Sequence, residues 1–228
     1  MMSSRQSLVP LFITPPRSLT RQSLDMGAAF LADRYPQFAA LLRDHGPPPL
    51  WGRRPGFATL VRIILEQQVS LAAARTMYRW LEQELGGITP AAFRARGITG
   101  LRDLGMTRQK AAYTYGLAVA VLNQSLDLAA IARSPDAQGR EALLALPGIG
   151  PWTVDIYYLM ALRRPDIWPQ GDLALAQALQ RVFALPVRPS AVIQQTLAAA
   201  WTPWRSVAAR LLWQAYLAGV RPAQLTSI

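Results

Sequence analysis

The chain has no cysteine, one lysine and one histidine among its 228 residues. Without cysteine it can hold no disulfide, no thiolate zinc site and no cysteine-ligated iron–sulfur cluster. The lone histidine, His45, lies in the turn-like run Asp44-His45-Gly46-Pro47-Pro48-Pro49 with no nucleophile beside it. That excludes a multi-histidine metal site and a Ser–His–Asp triad, and His45 reads as an ordinary loop residue. No uninterrupted apolar run approaches a membrane span, and the short run Leu8–Ile13 contains Pro10. A soluble protein with no membrane partner is expected.

Acidic residues are also scarce: 13 against 24 basic ones, for a net charge of +11. Lys110 is the only lysine, so the remaining basic residues are all arginine. A polyanion is the first candidate partner, although a surface that is basic for compositional reasons alone carries the same charge. Arginine suits nucleic acid because its planar guanidinium stays ionised, bridges phosphate oxygens and stacks on bases. Residues 1–24 contain no acid and read as a basic tail outside the fold, leaving 25–228 as the folded domain. With 51% hydrophobic residues and seven tryptophans, that domain can fill a core as one unit or two small lobes.

The periodicity is helical. Phe57, Leu60, Val61, Ile64 and Leu65 recur at spacings of three and four, which places them on one helix face. Ser70 can cap a following helix that Gly86-Gly87 stops. Thr89-Pro90 opens a short helix ending at Gly97, and Thr107 opens a longer one to about Asn123. Further helices are expected from near Gln138 to Pro147, from Gly150 to Leu162, and over 172–183, 190–200 and 203–219. Only Ile167-Trp168 and Leu185–Arg188 hint at strand, so the fold class is all-α.

Two stretches carry chemistry. In Leu144–Thr153, Gly148 and Gly150 flank Ile149 between two helices, a turn that exposes bare backbone. The N–H groups opening the next helix favour an anion such as phosphate, with Ile149 as an apolar peg; a tight connector without a ligand has the same pattern. Beyond it, Trp168-Pro169-Gln170-Gly171-Asp172 ends a turn-rich loop on an acid that opens a helix. An aspartate there caps orphan N–H groups, and it can face a cleft while doing so.

Leu146–Thr153, Trp168–Leu175 and Trp201–Ser206, together with Ile64–Ser70, resemble the helix-hairpin-helix (HhH-GPD) DNA glycosylases. The likeness is closest to the 3-methyladenine DNA glycosylase II branch, here in a compact form without its N-terminal β-rich domain, and runs from about Phe57 to Pro222. It implies a two-lobed helical fold whose cleft holds the active site, with the hairpin at about 144–153. It implies an enzyme of base excision repair that binds damaged, alkylated duplex DNA as a monomer, in the cytoplasm or nucleoid if the source is bacterial; a glycosylase for deaminated, oxidised or mismatched bases, or a non-catalytic DNA-binding protein with the same hairpin, is the alternative. Asp172 is the family aspartate, stabilising the oxocarbenium character that develops on deoxyribose as the base leaves. Trp152 stands where strand-cutting relatives carry a lysine, which implies hydrolysis by water alone.

The resemblance also implies a pocket for an extruded base, formed by Trp152, Ile156, Trp213 and Gln214. One bacterial form of the branch has tyrosine at the positions of Ile156 and Gln214, so this pocket is less aromatic. Trp152 and Trp213 serve equally well as core. DNA contact is expected at Gln67, Gln68, Pro147, Gly148, Ile149, Gly150 and Thr153. Gln68 holds the position of an inserting side chain that fills the gap left by the base, although both glutamines could simply cap helices. The carbonyls of Leu144, Leu146 and Ile149 would hold the monovalent cation that family hairpins often bind. No other cofactor is expected.

Overall fold

A computed structural model describes residues 14–219. Within these residues lie twelve helices and no strand, and no helix is long and apolar enough to cross a membrane. Ile167-Trp168 and 185–188 are irregular connections.

The folded part begins earlier than residue 25. Leu19 and Leu24 are buried, Ser18 Oγ donates to the Leu162 carbonyl at 2.8 Å, and the Leu19 N–H donates to Arg163 O at 2.7 Å. Thr20 and Ser23 form a reciprocal capping box that starts α1 (Arg21–Arg34). Composition suggested a tail, but a capping box next to a leucine that fits the core outweighs a lack of acids. The rest of the proposed tail, residues 1–13, lies outside the described residues, as does 220–228 at the other end of the domain. His45 is likewise not in a loop: it ends α2 (Pro36–His45), which Gly46 terminates at φ +71°.

The helices pack in two groups. One comprises α3 (Phe57–Glu66), α4 (Leu71–Glu84), α5 (Pro90–Asp103) and α6 (Arg108–Leu122), followed by the short α7 (Leu128–Arg133) and α8 (Asp136–Leu144). The apolar stripe read from the sequence is the buried part of α3, and Ile63 extends it around the helix. At Gly97, φ +70° breaks α5, where a stop was expected; the chain then resumes helix to Asp103. The other group is α1, α2, α10 (Leu173–Val182), α11 (Ala191–Ala199) and α12 (Arg205–Leu217), the last buried from Ser206 to Trp213.

Between them runs α9 (Pro151–Met160), buried from Thr153 to Leu159 and packed on both α3 and α8. Arg210 of α12 ties the groups together. Its fully buried guanidinium donates to Leu159 O at 3.0 Å and Trp51 O at 2.7 Å. Burial, and then the charge of Arg163, lowers its pKa to about 10. A cation held by carbonyls alone is a fixed joint, because truncating it strands buried acceptors.

Candidate active site

Asp172 is the N-cap of α10. Its Oδ1 accepts from the Leu175 N–H at 2.9 Å, which satisfies one of the helix's orphan donors. The same carboxylate does more than cap. Trp152 Nε1 of α9 donates to Oδ2 at 3.0 Å, and Trp213 Nε1 of α12 donates to Oδ1 at 3.3 Å. Three elements thus converge on one carboxylate that is 8% exposed. Donors of this kind hold the carboxylate in one orientation.

Both candidate pocket tryptophans therefore belong to this cluster, and their indole N–H groups face the acid. Ile156 follows Trp152 by one turn on α9 and is buried. Gln214 is not drawn in: its Nε2 donates to His45 O at 2.9 Å, and its buried Oε1 has no partner. Its neighbour Trp213 faces Asp172, whereas Gln214 is bound to the end of α2.

The hairpin connects α8 to α9. Ile149 is 4% exposed, its N–H donates to Leu146 O at 3.1 Å, and it anchors the turn in the core. Gly148 is required internally: φ is +83°, and a Cβ there would collide with the Tyr113 ring. Gly150 is not. Its backbone is extended at φ −90°, and an added Cβ would meet nothing within 4 Å. Pro151 takes the first helical position, where its missing N–H costs nothing. The fold thus leaves an open approach to the start of α9, which is the geometry an anion needs.

Gln67 and Gln68 separate into two roles. Gln67 Nε2 donates to Gly148 O and to Thr153 Oγ1, both at 2.9 Å, tying the α3–α4 junction to the hairpin. Gln68 is exposed, at φ +57°, a left-handed conformation that non-glycine residues seldom adopt. A cavity of about 530 Å³ lies here, lined by the two glutamines, Lys110, Tyr113 and Gly148–Gly150. Lys110 Nζ donates to Leu65 O at 2.8 Å, and burial lowers the pKa of the amine. The sole lysine stands beside the hairpin, while Asp172 does not line this cavity.

Asp155 escaped the sequence reading. It is 3% exposed on α9, its Oδ1 accepts from Arg140 Nη2 at 2.6 Å and its Oδ2 from the Gln170 N–H at 3.0 Å. Burial raises its pKa, against the lowering effect of the Gln170 N–H and Arg140. The available signal was an acid inside the apolar run Val154–Leu159. For the candidate cation, Leu146 O already accepts the Ile149 N–H, whereas the carbonyls of Leu144 and Ile149 accept no backbone hydrogen bond from the loop. Two free carbonyls and one with a spare lone pair suit a weakly bound monovalent ion. Among the described residues no His, Asp and Glu group could hold a metal.

The family model described as HhH-GPD superfamily base excision DNA repair protein matches residues 61–205, a span that includes the second half of α3, the hairpin and Asp172. The chain belongs to the HhH-GPD superfamily. Among its relatives, the putative DNA-3-methyladenine glycosylase YfjP of Bacillus subtilis is 27% identical over 77% of this chain and 64% of its own length. The probable bifunctional transcriptional activator/DNA repair enzyme AlkA of Mycobacterium tuberculosis is 31% identical over 67% of this chain, but over only 32% of its own. The chain thus spans less than two thirds of these relatives. In fold it is similar to the 3-methyladenine DNA glycosylase Mag1 of Schizosaccharomyces pombe, solved in complex with abasic DNA. That likeness has a TM-score of 0.76 at 21% identity, over 83% of this chain and 96% of the other.

Proposed function

We propose that this HhH-GPD protein is a monofunctional DNA glycosylase that releases alkylated bases, of the 3-methyladenine type, from duplex DNA and leaves an abasic site. The observation that carries the reading is the Asp172 carboxylate held between the Trp152 and Trp213 indole N–H groups. Breaking the N-glycosidic bond builds positive charge on deoxyribose, and a fixed anion near C1′ stabilises it. The same carboxylate orients or deprotonates the attacking water. With Trp152 in the hairpin and Lys110 bound to Leu65 O, water is the nucleophile in place of an amine.

The target base leaves the stack at a cost of a few kcal/mol, which is lower for damaged pairs. Trp152, Trp213 and Ile156 form the wall it meets in the cleft between the two helix groups. A cationic alkylated purine gains about 0.5–2 kcal/mol against an indole face. Gln68, exposed and held in a left-handed conformation, fills the vacated position, while Gln67 fixes the junction that carries it. Gly148–Gly150 and the start of α9 take a backbone phosphate. A monovalent cation on the carbonyls of Leu144, Leu146 and Ile149 would add positive charge there. The relatives' names, several of them DNA-3-methyladenine glycosylases, support the alkylated-base assignment. One copy of the chain supplies every group in this scheme, and the protein acts as a monomer on chromosomal DNA.

The test is a release assay on duplexes carrying methylated, deaminated or oxidised bases, with strand breaks counted before and after alkali. Breaks from methylated DNA only after alkali are expected. Breaks before alkali would contradict the monofunctional reading, and no abasic sites from any lesion would contradict the enzyme.

A further inference from the structure

The segment that delivers Asp172, residues 165–171, has no regular structure and is fastened near both ends. Asp166 receives the Arg205 guanidinium at 2.7 and 2.9 Å, and the Ile167 N–H donates to Ser206 Oγ at 2.9 Å. Both fasten the start of the segment to α12. Near its end the fastening is the Gln170 N–H on Asp155 Oδ2 at 3.0 Å, two residues before Asp172. Asp155 lies one turn beyond Trp152 on α9, so one helix holds both the carboxylate of Asp172 and the backbone that presents it. Arg140 of α8 occupies the other Asp155 oxygen, which fixes the rotamer and neutralises the charge. A carboxylate this deeply buried in an apolar helix is costly, and its two hydrogen bonds are what offset the cost.

We propose that Asp155 is a positioning residue for base release: through the Gln170 N–H it sets where the Asp172 carboxylate stands relative to Trp152. The proposal rests on the reading of Asp172 as the catalytic carboxylate. A displacement of about 1 Å at a reacting group costs about 10²-fold in rate. The effect belongs to the chemical step, because neither Asp155 nor Arg140 lines the hairpin cavity.

The experiment measures single-turnover base release from methylated duplex at saturating enzyme, and separately the affinity for duplex containing a stable abasic-site analogue. Asp155→Leu and Gln170→Pro are each expected to slow release ~10²-fold while leaving affinity within ~3-fold. Asp155→Asn keeps an oxygen for the Gln170 N–H and is expected to recover most of the rate. Gln170 is exposed, so Gln170→Pro removes the donor without opening the core and carries the test if Asp155→Leu does not fold. Wild-type release by folded Gln170→Pro, or rate and affinity falling together, overturns the proposal. Asp172→Asn is run in parallel. If it is inactive while Gln170→Pro is fully active, positioning alone fails; if it releases bases normally, the catalytic reading fails and takes this proposal with it.

Discussion

Each indole at Asp172 contributes one N–H to a carboxylate, a bond type worth about 1.5–3 kcal/mol. Trp152→Phe keeps a ring and removes the donor. Single-turnover release is therefore expected to fall by about 10–100-fold if that bond is spent on holding the acid in the transition state. Little change in rate would mean that the ring, and not the N–H, matters. Asp155 makes a prediction about pH. Its folded pKa is raised, so the folded state keeps a proton that the unfolded chain releases, and stability from this group falls as pH rises through that window. Thermal melts of wild type and Asp155→Asn across the acidic range should show the wild type losing ground to the variant as pH increases. The opposite slope would show that Arg140 and Gln170 outweigh burial.

At the scale of elements, the hairpin's two glycines are predicted to fail differently. Gly148→Ala meets both a positive φ and the Tyr113 ring, and should destabilise the protein by about 1–3 kcal/mol. Gly150→Ala meets nothing inside the protein, so its melting temperature should hardly move while its affinity for abasic duplex drops. Equal loss of stability in both variants would remove the argument that Gly150 serves an external partner. Gln67→Leu should weaken abasic-DNA binding as well, because the α3–α4 junction loses both ties to the hairpin. Several helix starts were legible from a local signal: Thr107, Thr89-Pro90, Ser190 and Asp172 all cap helices. The start of α1 was missed although its Thr20–Ser23 capping box is local, because an acid-free stretch rich in arginine and serine resembled a tail. The tie from Gln67 to Gly148 and that from Asp155 to Gln170 were hidden because each joins separate segments that only packing brings together.

For the whole molecule, the charge pattern and the fold point the same way. No acid follows Asp172 in the chain, so α10 and α12 carry only arginine among charged residues. Affinity for duplex should fall steeply with salt, with a log–log slope of about −0.9 per phosphate neutralised. A flat response would contradict a phosphate-gripping surface. Treating a reaction on abasic duplex with borohydride should trap no covalent adduct through Lys110, whose amine is bound to Leu65 O; a trapped complex lost in Lys110→Arg would make this a lyase. All-α class, hairpin and the helix-capping Asp172 were readable because they are written in short local motifs. The convergence of α9, α10 and α12 on that aspartate was not, since only packing brings Trp213 to it.

The most direct measurement is single-turnover base release from methylated duplex by Asp172→Asn. Asparagine can still cap α10 and should leave folding and abasic-DNA affinity close to wild type. The account predicts that excision is lost by several orders of magnitude while binding persists. Release near the wild-type rate would contradict it.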